Sequence, residues 1–402
     1  MSESTPLRGW RRPDGRIGIR NIVVVAYLVE CAHHVCREIA LPFRQDGVHV
    51  VGFPGCFPNP YAQRMMEQLC THPNVGAVLL VSLGCESFNK YQLERVIAAS
   101  GRPVSTITIQ TTGGTRRSVT TGQDWIETQR AALDEMPTVP MDVSELVIGT
   151  VCGGSDGTSG ITGNPATGLA FDRLVAAGAT CIFEETGELI GCEPVMVQRA
   201  ATPELGEILT QSVAKAARYY ATLGYGSFAP GNADGGLSTI EEKSMGAYAK
   251  SGHSVISGLI KPGDQPPRGG LYLLDVVPDG DVRFGFPNIN DNAEITELIA
   301  CGCHAVLFVT GRGSVVGSAI APVLKICANP ETFARMEDDM DINAGRILQG
   351  EASLQEVADD IFDAVSGLAR GETSCSEELG HQEFVLGYKS FEPIGPACLP
   401  GR

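Results

Sequence analysis

The apolar positions of this chain fall in short continuous runs separated by stretches with helical spacing. Ile22–Tyr27, Val48–Phe53, Ala77–Leu83 and Val104–Ile109 have the length and composition of strands. Between and after them, Cys31–Phe43, Pro60–Thr71, Lys90–Ser100 and Gly122–Glu135 read as helices. Strand–helix alternation at this spacing predicts right-handed βαβ units and a parallel sheet. MPTVPMDVSE, from Met136 to Glu145, has two prolines and reads as a linker. A second α/β unit follows. Its predicted strands are Leu146–Val151, Thr180–Phe183, Leu271–Val277 and Ala305–Val309, with another apolar run at Ala321–Cys327. Its predicted helices are Asn164–Gly178, Pro203–Leu223, Ser238–Ser251, Ala293–Cys301 and an amphipathic Leu354–Arg370. Gly224–Leu237, rich in Gly, Asn and Pro, reads as a long loop of the kind that is often functional. The expected fold class is therefore α/β: a three-layer first domain of Rossmann or flavodoxin type on a parallel sheet, then a larger α/β domain.

Composition narrows the function classes. A length of 402 residues allows two or three domains. Few aromatics (6%) beside 48 glycines point to tight turns next to strands instead of an aromatic core. The net charge of −17 argues against a nucleic-acid or anionic-membrane partner. No apolar run approaches the ~18 residues that span a bilayer. Arg8, Arg11 and Arg12 are followed by no signal-type apolar core. Thirteen cysteines without such a signal imply a reducing, cytoplasmic location.

The candidate chemistry lies just past the apolar runs, where an open parallel sheet binds its ligands. Cys31, Cys56, Cys85 and Cys152 each have that placement. Thiolates gathered there suit a soft metal or an iron–sulfur cluster, and the same residues also suit simple burial. CGGSDGTSGITGNPATG, from Cys152 to Gly168, follows a strand and opens a helix. Its Ser155, Asp156, Thr158, Ser159 and Asn164 offer polar groups for hydroxyls or a carboxylate. It is neither a Walker A loop nor GxGxxG. FEETGELIGCE, from Phe183 to Glu193, offers Glu185, Glu188 and Glu193 as metal ligands or bases, while Glu184 reads as a solvated acid. Thr310 and Arg312 of TGRGS face an anion in one reading. Lys325, after an apolar run, is a carboxylate binder or base, and Asp341 and Asn343 are site residues or helix caps. Arg16 and Arg20, flanking the first strand, are carboxylate clamps or surface ion pairs, and His33 and His34 are weak ligand candidates.

DGRIGIRN, HPNVGAVLLVSLGCE, CGGSDGTSGITGNPATG, GGLSTIEEKSMGA, LFVTGRGS and DDMDINAG, in this order, resemble the altronate/galactarate dehydratase family of hydro-lyases over nearly the whole chain. The resemblance assigns residues 1–140 to that family's second-domain type and 141–402 to its C-terminal catalytic domain. It implies iron-dependent β-elimination of water from a sugar acid, giving a 2-keto-3-deoxy acid. Long family members begin with an extra domain of SAF type, so this chain is expected to be the large subunit of a hetero-oligomer with a small SAF-domain subunit. The alternatives are a (2R)-sulfolactate sulfo-lyase subunit that releases sulfite, or a non-catalytic module that binds metal or sugar acid. Family cysteines match Cys56, Cys85 and Cys152, with Cys31 also fitting. Family acids match Glu185, Glu188 and Glu193. The expected metal ligands are thus Cys56, Cys85, Cys152 and Glu193, holding Fe²⁺ or a [4Fe–4S] cluster. Glu185 or Lys325 is the expected base, and Arg20, Ser155, Asp156, Ser159, Asn164, Thr310 and Arg312 bind the hydroxy acid. FPGCFPNP around Cys56 and the presence of Cys192 depart from the family pattern.

Overall fold

In the computed structural model, residues 6–223, 228, 230–279 and 290–389 are described. Two parallel sheets organise the chain. The first carries β1 (Ile22–Tyr27), β2 (Val48–Gly52), β3 (Val75–Ser82) and β4 (Val104–Thr108), in the order β2-β1-β3-β4. Every residue of β1 and β3 is buried, as expected for strands covered on both faces. The second sheet carries β5 (Val147–Cys152), β6 (Thr180–Phe183), β7 (Ile256–Ile260), β8 (Gly270–Leu274), β9 (Ala305–Thr310), β10 (Val323–Cys327) and β11 (Ile342–Asn343). Its order is β7-β8-β6-β5-β9-β10-β11, all parallel.

β5 lies between β6 on one side and β9 on the other, so the chain leaves it in opposite directions. In open α/β sheets a ligand crevice forms at such a switch point, outside the carboxyl ends of the strands. Three helices converge there: α1 (Gly163–Ala176), α2 (Ile240–Tyr248) and α3 (Asp291–Ala300). Thr239 and Asn290 cap α2 and α3, their side chains accepting from the Glu242 and Ala293 N–H groups. α1 packs so closely on the turn after α2 that a Cβ at Gly168 would sit 2.1 Å from the Ala249 carbonyl oxygen.

The two sheets share a core. Val24, Leu28 and Val78 of the first belong to one apolar cluster with Val151, Leu274 and Phe308 of the second, and Tyr61, Met65 and Leu69 of helix Pro60–Cys70 lie within it. The proline-rich linker is not free chain. Val139–Pro140 pairs with Arg8–Gly9, and Val143–Glu145 is a 3₁₀ turn. Ile256–Ile260, an edge strand interrupted by Ser and Gly, was not anticipated. The expected loop Gly224–Leu237 includes a short helix, Pro230–Asp234, while residues 224–227 and 229 lie outside the described set. No helix among the described residues is long and apolar enough to cross a membrane.

Candidate functional site

At the carboxyl end of β5 sits Cys152, buried, with its Sγ among charged groups. Its N–H donates to Glu185 Oε2 at 2.9 Å, and its thiol lies 3.2 Å from that oxygen and 3.5 Å from Glu188 Oε2. Lys250 Nζ donates to Cys152 Sγ at 3.3 Å and ion-pairs with Glu185. Lys243 pairs with Glu188. Neither lysine was given a role from sequence, although Lys243 lies within the GGLSTIEEKSMGA motif and Lys250 in the turn just after it.

Glu185 follows β6 with φ 76° and ψ 53°. Among the described residues it is the one non-glycine position with positive φ. That conformation costs roughly 1–2 kcal/mol, and strain of this kind collects at functional sites. Its effect here is to turn the carboxylate back under the end of β5.

A second acidic group adjoins the first. Ligand oxygens of Glu184, Glu185 and Glu294 lie within 4.8 Å of one another, as do those of Glu185 and Glu188 with Cys152 Sγ. The sequence reading of Glu184 as a solvated acid is overturned: it is fully buried, and neither carboxylate oxygen has a hydrogen-bond partner. The strand–turn geometry, invisible in sequence, directs it inward. Glu294 and Glu297 sit one turn apart on α3 with different fates. Glu297 accepts from Tyr61 Oη at 2.6 Å and pairs with Lys389 at 2.7 Å. Glu294 faces the cluster, and burial with the Asp291 charge raises its carboxyl to about 8. Burial and Glu188 raise Asp291 to about 6. Burial and Glu294 push Glu184 well above the usual carboxylate range. Burial lifts the Cys152 thiol to about 11 despite Lys250.

Glu184, Glu185, Glu188, Asp291 and Glu294 outnumber Lys243 and Lys250, so the cluster must bind protons or a cation. One sulfur and several carboxylates form a donor set that fits a divalent first-row metal such as Fe²⁺. The unpartnered oxygens of Glu184 are consistent with that fit.

The other expected residues separate. Cys56 and Cys85 are exposed on adjoining loops of the first sheet, where the Ser87 N–H donates to the Cys56 carbonyl at 2.9 Å. Cys31 is exposed as well. Among the described residues none of these three joins Cys152 in a ligand group. Each cysteine does follow its strand, but Cys152 belongs to a different sheet. Glu193 begins the helix Glu193–Arg199, half-buried and outside both groups.

Lys325 does not reach the cluster. On β10 it alternates with Leu324 and Ile326, which pack in the same core as Cys152, so it points to the opposite face. There its Nζ donates to the Val316 carbonyl at 3.3 Å and lies 3.4 Å from His381 Nδ1. Arg20 is engaged by protein partners outside the cluster. Its guanidinium forks onto Glu377 at 2.6 and 2.8 Å and caps the carbonyls of Leu368 and Glu372.

Of the glycine-rich loop, Ser155 approaches Cys152 Sγ at 3.8 Å. Asp156 organises the turn, accepting from the Thr158 and Ser159 N–H groups and from Asn329 Nδ2. The Ser159 hydroxyl accepts from the Asp156 N–H. Thr310 Oγ1 accepts from the Gly313 N–H, and Arg312 donates to the Gly231 carbonyl, so both brace neighbouring loops. Asn164, buried at the start of α1, keeps an unpartnered Oδ1.

The D-galactarate/altronate dehydratase C-terminal model matches residues 143–391, and the D-galactarate dehydratase/altronate hydrolase second-domain model matches residues 9–134. The chain is 32% identical to the (2R)-sulfolactate sulfo-lyase subunit beta of Chromohalobacter salexigens, over 94% of this chain and 96% of that one. It is 29% identical to the altronate dehydratase of Escherichia coli, over 94% of this chain and 76% of that one. With the galactarate dehydratase (L-threo-forming) of Escherichia coli the identity is 31%, over 92% and 73%. Two family models in their expected order, and relatives that align along almost the whole chain, show that it belongs to the D-galactarate/altronate dehydratase family and is a lyase.

Proposed function

We propose that this chain catalyses β-elimination from a 2-hydroxy acid, with water leaving and a 2-keto-3-deoxy acid as product. The observation that carries this reading is the buried cluster of one thiol, five carboxyl groups and two ammonium groups at the switch point of the second sheet. The chemical difficulty is the C2 proton, weakly acidic beside a carboxylate. Fe²⁺ held by Cys152, Glu185 and Glu188 would supply a Lewis acid for the substrate carboxylate and hydroxyl. Lys250 Nζ, a fully buried ammonium ion-paired with Glu185 beside Cys152, is placed to stabilise the charge that develops on the substrate, and the C2 proton passes to a carboxylate of the cluster, in the role that sequence gave to Glu185 or Lys325. Glu294 keeps its proton at neutral pH and is suited to hand it to the departing C3 hydroxyl. Ser155 and Ser159 would hold the substrate hydroxyls nearer the reacting carbons. A small SAF-domain subunit completes the enzyme in this reading; the word "subunit" in the sulfo-lyase name supports a partner chain, without saying of what fold.

A second reading has sulfite as the leaving group. Its support is the 32% identity to the sulfo-lyase subunit over 94% of this chain. The test is a panel of hydroxy acids of three to six carbons, supplied to the iron-loaded chain with and without the small subunit. 2-Keto acid and sulfite are measured separately. Keto acid without sulfite, abolished by Cys152→Ala and by Lys250→Met but not by Cys85→Ala, is expected. Sulfite release selects the second reading, and full turnover in Cys152→Ala refutes the site.

A further inference from the structure

A cleft of about 250 Å³ opens between the Ser155–Asn164 loop and α2. Two residues join it to the cluster. Ser155 lines it and lies 3.8 Å from Cys152 Sγ, and Lys243 lines it and pairs with Glu188. At its inner wall stands Asn164, 1% exposed, whose Oδ1 has no hydrogen-bond partner. A buried amide oxygen left unpaired costs on the order of 1–3 kcal/mol, so such a group is kept where a ligand satisfies it. The outer wall is mixed, with Ile161 and Met245 59% and 53% exposed and Glu242 also lining the cleft.

We infer that this cleft holds the end of the substrate remote from the reacting carbons, and that Asn164 selects acids long enough to place a hydroxyl on its Oδ1. The inference rests on the elimination proposed above and goes further by fixing where substrate length is read. A three-carbon acid with its carboxylate in the cluster leaves the cleft to water. A longer polyhydroxylated acid fills it and donates a hydroxyl to Asn164. The lining suits this division: Asn164 Oδ1 is an acceptor inside for an O–H, and the mixed polar and apolar walls, with Ser159, Glu242, Ile161 and Met245, suit a carbon chain that carries hydroxyls.

Two variants test it. Asn164→Leu removes the acceptor at similar volume. Met245→Trp fills the cleft from a position 53% exposed, giving up one contact, the Cys192 thiol at 3.7 Å. Values of kcat/KM are compared for a six-carbon aldonate and for three-carbon acids, (2R)-sulfolactate and glycerate, on the active enzyme. Each variant is expected to lower kcat/KM for the aldonate by about 10²-fold, the scale set by a buried group left unpaired, and to leave the three-carbon acids within about twofold. Asn164→Asp, which keeps an acceptor oxygen, should recover part of the loss. Equal losses on both lengths in Met245→Trp, or no loss for the aldonate, overturn the inference while leaving the elimination intact. A wild type that turns over three-carbon acids alone overturns it too. Turnover of neither length removes the elimination reading and this inference together.

Discussion

Replacing Lys250 with Met gives the sharpest test of the cluster as a buried electrostatic unit. Lys250 is fully buried and the Glu185 side chain is 5% exposed. Met matches the aliphatic stem and deletes only the charge. Removing one partner of a buried pair leaves the other charge uncompensated, which typically costs 3–5 kcal/mol. The surroundings offer Glu185 little relief. Glu188 adds like charge, Glu184 and Glu294 supply no cation, and Lys243 is committed to Glu188. The expected loss in metal-free protein at neutral pH is therefore about 4 kcal/mol, read as a lower urea midpoint at unchanged slope. Two controls fix the cause. The double variant Lys250→Met/Glu185→Gln should recover most of the loss, because no unpaired charge remains. Arg173→Met breaks the Arg173–Asp359 pair, whose side chains are 45% and 47% exposed, and should cost under about 1 kcal/mol. A loss under about 1 kcal/mol in Lys250→Met, or no recovery in the double variant, would refute the reasoning.

Three further outcomes are expected. Burial lowers His304 to about 4, where it donates to the Ile17 carbonyl and accepts from the Val147 N–H as a neutral ring. The unfolded ring binds a proton near pH 6.5 and the folded one does not, so this contribution is complete above that pH. It is lost as pH falls toward 4, and at ~1.4 kcal/mol per unit the loss reaches about 3 kcal/mol. Urea midpoints at several pH values should show this slope, and His304→Asn should flatten it. Arg20→Met should destabilise by about 2–3 kcal/mol, because Glu377 and two carbonyls lose their donor, yet leave kcat per folded molecule unchanged. A fall in kcat would return Arg20 to the site. Gly168→Ala would drive a methyl into the Ala249 carbonyl at 2.1 Å. It should cost about 1–3 kcal/mol and reduce turnover by displacing Lys250, the next residue, as thermal melts and kinetics would show.

Sequence alone determined the alternation of strands and helices, the parallel sheets and the family. Those follow from local periodicity, and a βαβ unit has one favoured hand. It also determined that Cys152 and the Glu185–Glu188 turn stand at strand ends, since an apolar run followed by polar residues marks that edge. Only the tertiary structure decided which strand ends meet. The four cysteines share one sequence signature, yet strand order puts three on the first sheet and Cys152 on the second, at the β5 switch point. Alternation along β10 turned Lys325 away from the site, although its apolar surroundings had marked it as buried. Lys243, Lys250 and Glu294 were missed for the same physical reason. A charged residue on a helix reads as solvated unless one knows what covers it: α1 packs on α2 and on the turn after it, Thr186–Glu188 packs on α2, and β5 with helix Pro60–Cys70 packs on α3, all far away in the chain. Burial turned Glu184 from a surface acid into an unpartnered carboxyl, and burial is a property of packing that no local pattern contains.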